Sequence, residues 1–250
     1  MSFFIDFTDK RNQHVFKILK SKGFTVFELE NNQENIKQGD SYVFSPAKKF
    51  LPQEVLSFKN QTNLYAGKVS DEILKIFHEK QIEYKNMMED EEFVIKNALL
   101  TAEGVLAHII SATSKSIFKN KILVVGTGRV GKAILHLLDK LNLDLTLVCF
   151  SKNKLTENLY WQKPVILASE LKDRIKEFDI VINTAPIKVF EDTVLDYFAE
   201  GTVVLEISSF VCLNKDLAQE KGITFISAQG LPQVFSCESA GELVASFLLK

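Results

Sequence analysis

The chain is 250 residues long, 46% apolar and 25% charged, with 30 basic against 32 acidic residues and a formal net charge of −2. That length fits two domains of roughly 100–150 residues, and the near-neutral balance offers no broad electrostatic footprint for nucleic acid. Asp6 interrupts the apolar start, no later apolar run approaches the ~20 residues that span a bilayer, and three widely spaced cysteines (Cys149, Cys212, Cys237) suit neither a disulfide framework nor a metal knuckle. The composition predicts a cytoplasmic protein with reduced thiols that binds neither membrane, nucleic acid nor metal.

Short apolar runs alternate with helix-period segments, the pattern of parallel sheets joined by helices. In chain order the first strand is predicted at Phe3–Phe7, followed by a helix through Val15, Phe16 and Leu19 that Gly23 closes. Strands then follow at Phe24–Leu29, Tyr42–Phe44 and Asn63–Ala66, and a helix at Asp71–Lys80. The fold expected for residues 1–96 is a small flavodoxin-like α/β domain. The acidic cluster Met88-Glu89-Asp90-Glu91-Glu92 reads as a solvated loop or helix start. Residues 97–117 carry an interdomain helix that is apolar on nearly every face (Leu99, Leu100, Ala102, Val105, Leu106, Ile109, Ile110), and it is expected to be covered all round.

Residues 118–236 count out six strands: Lys121–Val125, Leu145–Phe150, Val165–Ala168, Asp179–Asn183, Thr202–Ile207 and Ile223–Ser227. Six strands in two βαβαβ halves make a complete Rossmann domain. Residues 237–250 form a last helix, expected to pack back at the domain junction. The overall fold class is α/β, two doubly wound domains.

The stretch from Lys121 to Lys132 joins a strand to an amphipathic helix through Gly126-Thr127-Gly128-Arg129-Val130-Gly131. Gly126 can take the tight turn, Gly128 lets the backbone approach a pyrophosphate, and Gly131 allows the helix to pack closely on the strand. The helix N-terminus brings free N–H groups to the phosphates. An acidic residue about 20 positions further on would bind an unmodified ribose. Here the sequence reads Cys149-Phe150-Ser151-Lys152-Asn153-Lys154, a hydroxyl and two ammonium groups, so NADP is the expected cofactor, with NAD possible. The four histidines (His14, His78, His108, His136) lie in predicted helices without ligand spacing. Better candidates follow the strands: Asn183-Thr184-Ala185-Pro186, Ser208-Ser209 and Gln229-Gly230-Leu231-Pro232. Asn183 and Thr184 can hydrogen-bond cofactor or substrate, and Pro186 stiffens the loop.

Thr101-Ala102-Glu103-Gly104, Lys119-Asn120-Lys121, the glycine turn, Val181-Ile-Asn-Thr-Ala-Pro186, Gly230-Leu-Pro232 and Ser239-Ala-Gly241 stand in an order that resembles the A subunit of dipicolinate synthase. Asp9-Lys10-Arg11 is similar to that family's Asp-x-Arg, so the resemblance covers nearly the whole chain, as a shortened, divergent member. It implies an NAD(P)-dependent oxidoreductase acting on a dihydrodipicolinate-type precursor of the lysine pathway, a small cyclic dicarboxylate. It also implies a role in sporulation and a partner, the flavoprotein-like B subunit of dipicolinate synthase, a homo-oligomer being possible. Arg11, Thr101, Glu103, Asn183 and Thr184 are the expected catalytic set, and residues 126–131 with Ser151, Lys152, Thr184 and Pro186 the cofactor set. Ser45-Pro46-Ala47-Lys48-Lys49-Phe50 and Val211-Cys212-Leu213 replace glycine-containing family loops. These replacements support an alternative: a catalytically degenerate relative that binds NADP or a partner.

Overall fold

The computed structural model describes residues 2–152 and 162–250. Two compact units divide the chain: residues 1–100 with 232–250, and residues 101–231.

The first unit is built on a five-stranded parallel sheet of β1 (Phe3–Ile5), β2 (Val26–Glu28), β3 (Ser41–Val43), β4 (Asn63–Ala66) and β5 (Glu83–Asn86), in the order β2-β1-β3-β4-β5. That is the flavodoxin-like order. Strand alternation divides the core between two faces. Phe4, Tyr42, Phe44 and Leu64 meet α2 (Pro52–Leu56) and α3 (Asp71–Glu79), whereas Phe3, Ile5, Val43 and Tyr65 meet α1 (Lys10–Ser21) and the start of α4 (Glu91–Ala112). β5 was not expected, because Glu-Tyr-Lys-Asn has no apolar run; as an edge strand it is half-buried on alternate residues and exposed on the others. α2 was also missed, being five residues long and started by Pro52.

α4 corrects one expectation. Ile95, Leu99 and Ile110 stand 48%, 43% and 55% exposed, so the helix is not covered all round. By length and composition α4 could also cross a membrane, although 44% of its most apolar 18-residue window is buried in the protein. Polar residues such as Lys96, Asn97 and Thr101 had hidden that length in the sequence.

The second unit carries β6 (Lys121–Val125), α5 (Arg129–Lys140), β7 (Asp144–Cys149), β8 (Val165–Leu167), α6 (Leu171–Arg174), β9 (Ile180–Asn183), β10 (Val203–Glu206), α7 (Lys215–Glu220) and β11 (Thr224–Ser227). Its parallel sheet runs β11-β10-β9-β6-β7-β8, the order of a complete dinucleotide-binding domain. In such a sheet ligands bind beyond the carboxyl ends of the strands, where the order reverses, and here that is between β6 and β9.

After α8 (Leu231–Phe235), the last helix, α9 (Cys237–Leu248), belongs to the first unit and packs along α1. A Cβ on Gly241 would lie 2.7 Å from the Arg11 carbonyl oxygen and 2.5 Å from His14 Cβ. Only a glycine lets the two backbones come that close.

Candidate functional site

The three glycines after β6 perform three different tasks. Gly126 has φ +98°, and a Cβ there would fall 2.6 Å from Thr184 Oγ1. Gly131 lies in the first turn of α5, where a Cβ would meet the Gly126 carbonyl oxygen at 2.1 Å, so its absence lets the helix close on the turn. Gly128 has ordinary backbone angles, and nothing lies within 4 Å of where its Cβ would stand. It caps α5 without any side-chain hydrogen bond. Open space above an uncapped helix N-terminus of twelve residues is what a bound phosphate needs. Ala133, Ile134, Leu135 and Leu138 are the buried stripe of α5 that aims this end. Thr127 and Val130 flank the opening half-buried, and Arg129 is exposed.

Beyond β7, Phe150, Ser151 and Lys152 are exposed, with no carboxylate among them. Lys154, expected to share in the same contact, lies outside the described residues. Cys149 is buried beneath this end, its thiol 3.5 Å from the Ser151 carbonyl.

The loop after β9 closes the other side of the turn. Thr184 donates its hydroxyl to the Val125 carbonyl at 2.9 Å, and its own N–H bonds the same oxygen. Asn183 is fully buried, and its amide donates to the Ala185 carbonyl at 3.0 Å and to both oxygens of Glu206 at 2.9 and 3.1 Å. Its carbonyl oxygen accepts the Ala185 N–H. Asn183, expected to hydrogen-bond a ligand, has its amide hydrogens engaged by the Ala185 carbonyl and by Glu206 at the end of β10. Pro186 follows on the exposed rim.

Glu206 itself escaped the sequence reading, although one signal was present: a single carboxylate in the apolar run of a central strand. It is fully buried and also accepts from the Ser208 N–H and hydroxyl and from the Cys212 N–H. Burial first, and then the Glu206 carboxylate, push the Cys212 thiol far above its ordinary range.

In the first unit, Asp9 caps α1 and holds Arg11 twice on one oxygen, through its backbone N–H at 3.0 Å and Nε at 2.9 Å. Ser45, on the loop after β3, donates to the other oxygen at 2.5 Å. Both ions of the pair are almost wholly buried. Asn12 bonds the Asp6 carbonyl at 2.7 Å beside them. Thr101 and Glu103 fall on α4 in the second unit, Thr101 buried and Glu103 exposed. The expected set thus divides between the units: Arg11 in one, Thr101, Glu103, Asn183 and Thr184 in the other.

The sheet order, the glycine turn and the open helix end together define a doubly wound α/β fold of the dinucleotide-binding type. No protein-family model matches the chain. It is 26% identical over 204 residues to the A subunit of dipicolinate synthase from Bacillus subtilis strain 168, a match that covers 80% of this chain and 65% of that protein's length. The crystal structure of the dipicolinate synthase A subunit from Bacillus halodurans superposes with a TM-score of 0.86 at 18% identity, covering 99% of this chain and 96% of that one. The apo structure of D-lactate dehydrogenase from Escherichia coli gives 0.67 at 12% identity, covering 100% and 95%. The chain is thus similar to the dipicolinate synthase A subunit over most of its length and shares its fold.

Proposed function

We propose that this chain binds a nicotinamide dinucleotide on residues 126–131, prefers NADP, and acts as an A-type subunit oxidising a dihydrodipicolinate-type ring. The carrying observation is the division of labour among Gly126, Gly128 and Gly131, since open space at Gly128 has no use in a turn that only packs. Ser151 and Lys152 would face the 2′-phosphate, Arg129 and the first α5 N–H groups the pyrophosphate, and Thr184 and Pro186 border the bound ring. When bound, the nucleotide supplies the hydride acceptor: a dihydro ring that becomes aromatic gives up one hydride to NADP+ and one proton to solvent or a base. Arg11 would hold a substrate carboxylate, its guanidinium oriented by the Asp9 bond to Nε. Thr101 and Glu103 are the remaining candidates for orienting the ring or accepting the proton.

The Bacillus subtilis relative is one subunit of its enzyme, which supports a partner here, and we take that partner to be a flavoprotein-like B subunit. Cysteines at 149, 212 and 237 that form no disulfide fit a reducing cytoplasm. Calorimetric titration with NADPH and NADH tests the binding, and NADP-dependent formation of dipicolinate in the presence of a B subunit tests the reaction. Absence of nucleotide binding would remove the whole reading. Binding without turnover would leave the non-catalytic alternative, which the enclosure of Asn183 favours.

A further inference from the structure

A buried carboxylate persists only where hydrogen bonds replace its water. Around Glu206 those donors come from two loops. Asn183 is the last residue of β9, and Ser208 and Cys212 follow β10. The donors are neutral amides and a hydroxyl, so the charge strengthens each bond without forming an ion pair. From Asn183 the chain of contacts runs on through Ala185, held at both its N–H and its carbonyl, to Thr184, whose hydroxyl bonds Val125 where β6 enters the glycine turn. On the other side the Ser208 carbonyl accepts from Gln229 at 2.7 Å, which ties in the loop after β11. One carboxylate therefore fixes the carboxyl edge of β9, β10 and β11.

We propose that Glu206 is a positioning residue for the nicotinamide half of the dinucleotide, an inference that rests on the nucleotide assignment above. A doubly wound sheet offers one mononucleotide site per half. The β6–β7 half carries Ser151 and Lys152 and takes the adenosine ribose, so the loops that Glu206 braces border the other half. The role requires two acceptor oxygens. In Glu206→Gln the new NH2 must face either the Ser208 or the Cys212 N–H, donor against donor, whichever way the amide turns.

The test titrates the full chain with NADPH, followed by nicotinamide fluorescence, and with adenosine 2′,5′-bisphosphate, which carries only the adenosine half. Glu206→Gln should weaken NADPH about tenfold or more, and the bisphosphate less than twofold. Val204→Ala removes buried methyls from the same strand; it should lower Tm and leave both affinities unchanged. If Glu206→Gln does not fold, Ser208→Ala, which takes one donor from Glu206 together with the hydroxyl's bonds to Phe210, should show the same order with a smaller factor. Equal weakening of both ligands, or of neither, in a folded variant overturns the proposal. Should the wild type bind no nucleotide, the assignment above fails and hydrogen exchange still decides the brace: the Ala185 amide, bonded to Asn183 Oδ1, must lose protection in the variant, and unchanged protection overturns it.

Discussion

Gly131 and Gly128 are three residues apart in one motif, yet the structure assigns them opposite sensitivities. A methyl on Gly131 would lie 2.1 Å from the Gly126 carbonyl oxygen and 3.0 Å from its carbon, both backbone atoms that no rotamer change can move. α5 must shift on β6, and forced overpacking of this kind costs about 1–3 kcal/mol. For a unit of this size that corresponds to a Tm loss of about 3–10 °C. At Gly128 nothing is displaced, and its φ of −72° suits any residue. The smaller backbone entropy of the unfolded chain stabilises by about 0.4–1 kcal/mol and offsets the weaker cap, leaving stability within about 1 kcal/mol. Its Cβ would occupy the open space proposed above for the pyrophosphate, where charge-assisted hydrogen bonds contribute about 1.5–3 kcal/mol each, so one lost bond is roughly a ten- to hundredfold rise in Kd. Thermal melts and NADPH calorimetry on Gly131→Ala and Gly128→Val separate the two effects. The reasoning is refuted if Gly128→Val melts as low as Gly131→Ala, or binds NADPH as tightly as the wild type.

Three further outcomes follow from other parts of the molecule. Lys152→Glu should raise the Kd for NADPH at least tenfold while leaving NADH unchanged or tighter, and equal effects on both would mean that Lys152 merely faces solvent. Arg11→Ala strands the buried Asp9 carboxylate and should cost about 3–5 kcal/mol by chemical denaturation, with Asp9→Asn/Arg11→Met recovering part of the loss. The Glu30 carboxyl, raised first by burial and then by the neighbouring Asp6, is protonated more readily folded than unfolded. Ionised Glu30 therefore opposes folding at neutral pH, and this penalty is relieved as pH falls through its raised value. Glu30→Gln should melt above the wild type at pH 7, and the gap should close in acid; a gap that is constant with pH refutes the assignment.

What was legible in the sequence had local causes. β6, the glycine turn and α5 follow from twenty consecutive residues, because the turn, the helix end and the apolar stripe are all specified there. β4 was legible from Asn63 to Ala66, since a central strand needs apolar residues on both faces. β5 was not, because an edge strand is held by its pairing with β4 and needs no apolar run of its own. α4 was read as a helix, but its exposed Ile95, Leu99 and Ile110 follow from tertiary contacts that no periodicity reveals.

The site shows the same division more sharply. Gly126 and Gly131 announce themselves because a positive φ at one and the contact of the other with the Gly126 carbonyl are set within six positions. Asn183 also looked like a ligand residue, since polar groups at strand ends usually are. Its true partner lies 23 residues away, and without Glu206 in view the amide could only be assigned outward. A lone carboxylate in an apolar central strand must be satisfied by something, and the nearest donors across a parallel sheet are the ends of the adjacent strands. In the doubly wound order β9 and β10 lie side by side, so their carboxyl ends meet. The buried pair makes Asn183, expected as a ligand contact, a residue that holds Ala185 and with it the position of Thr184.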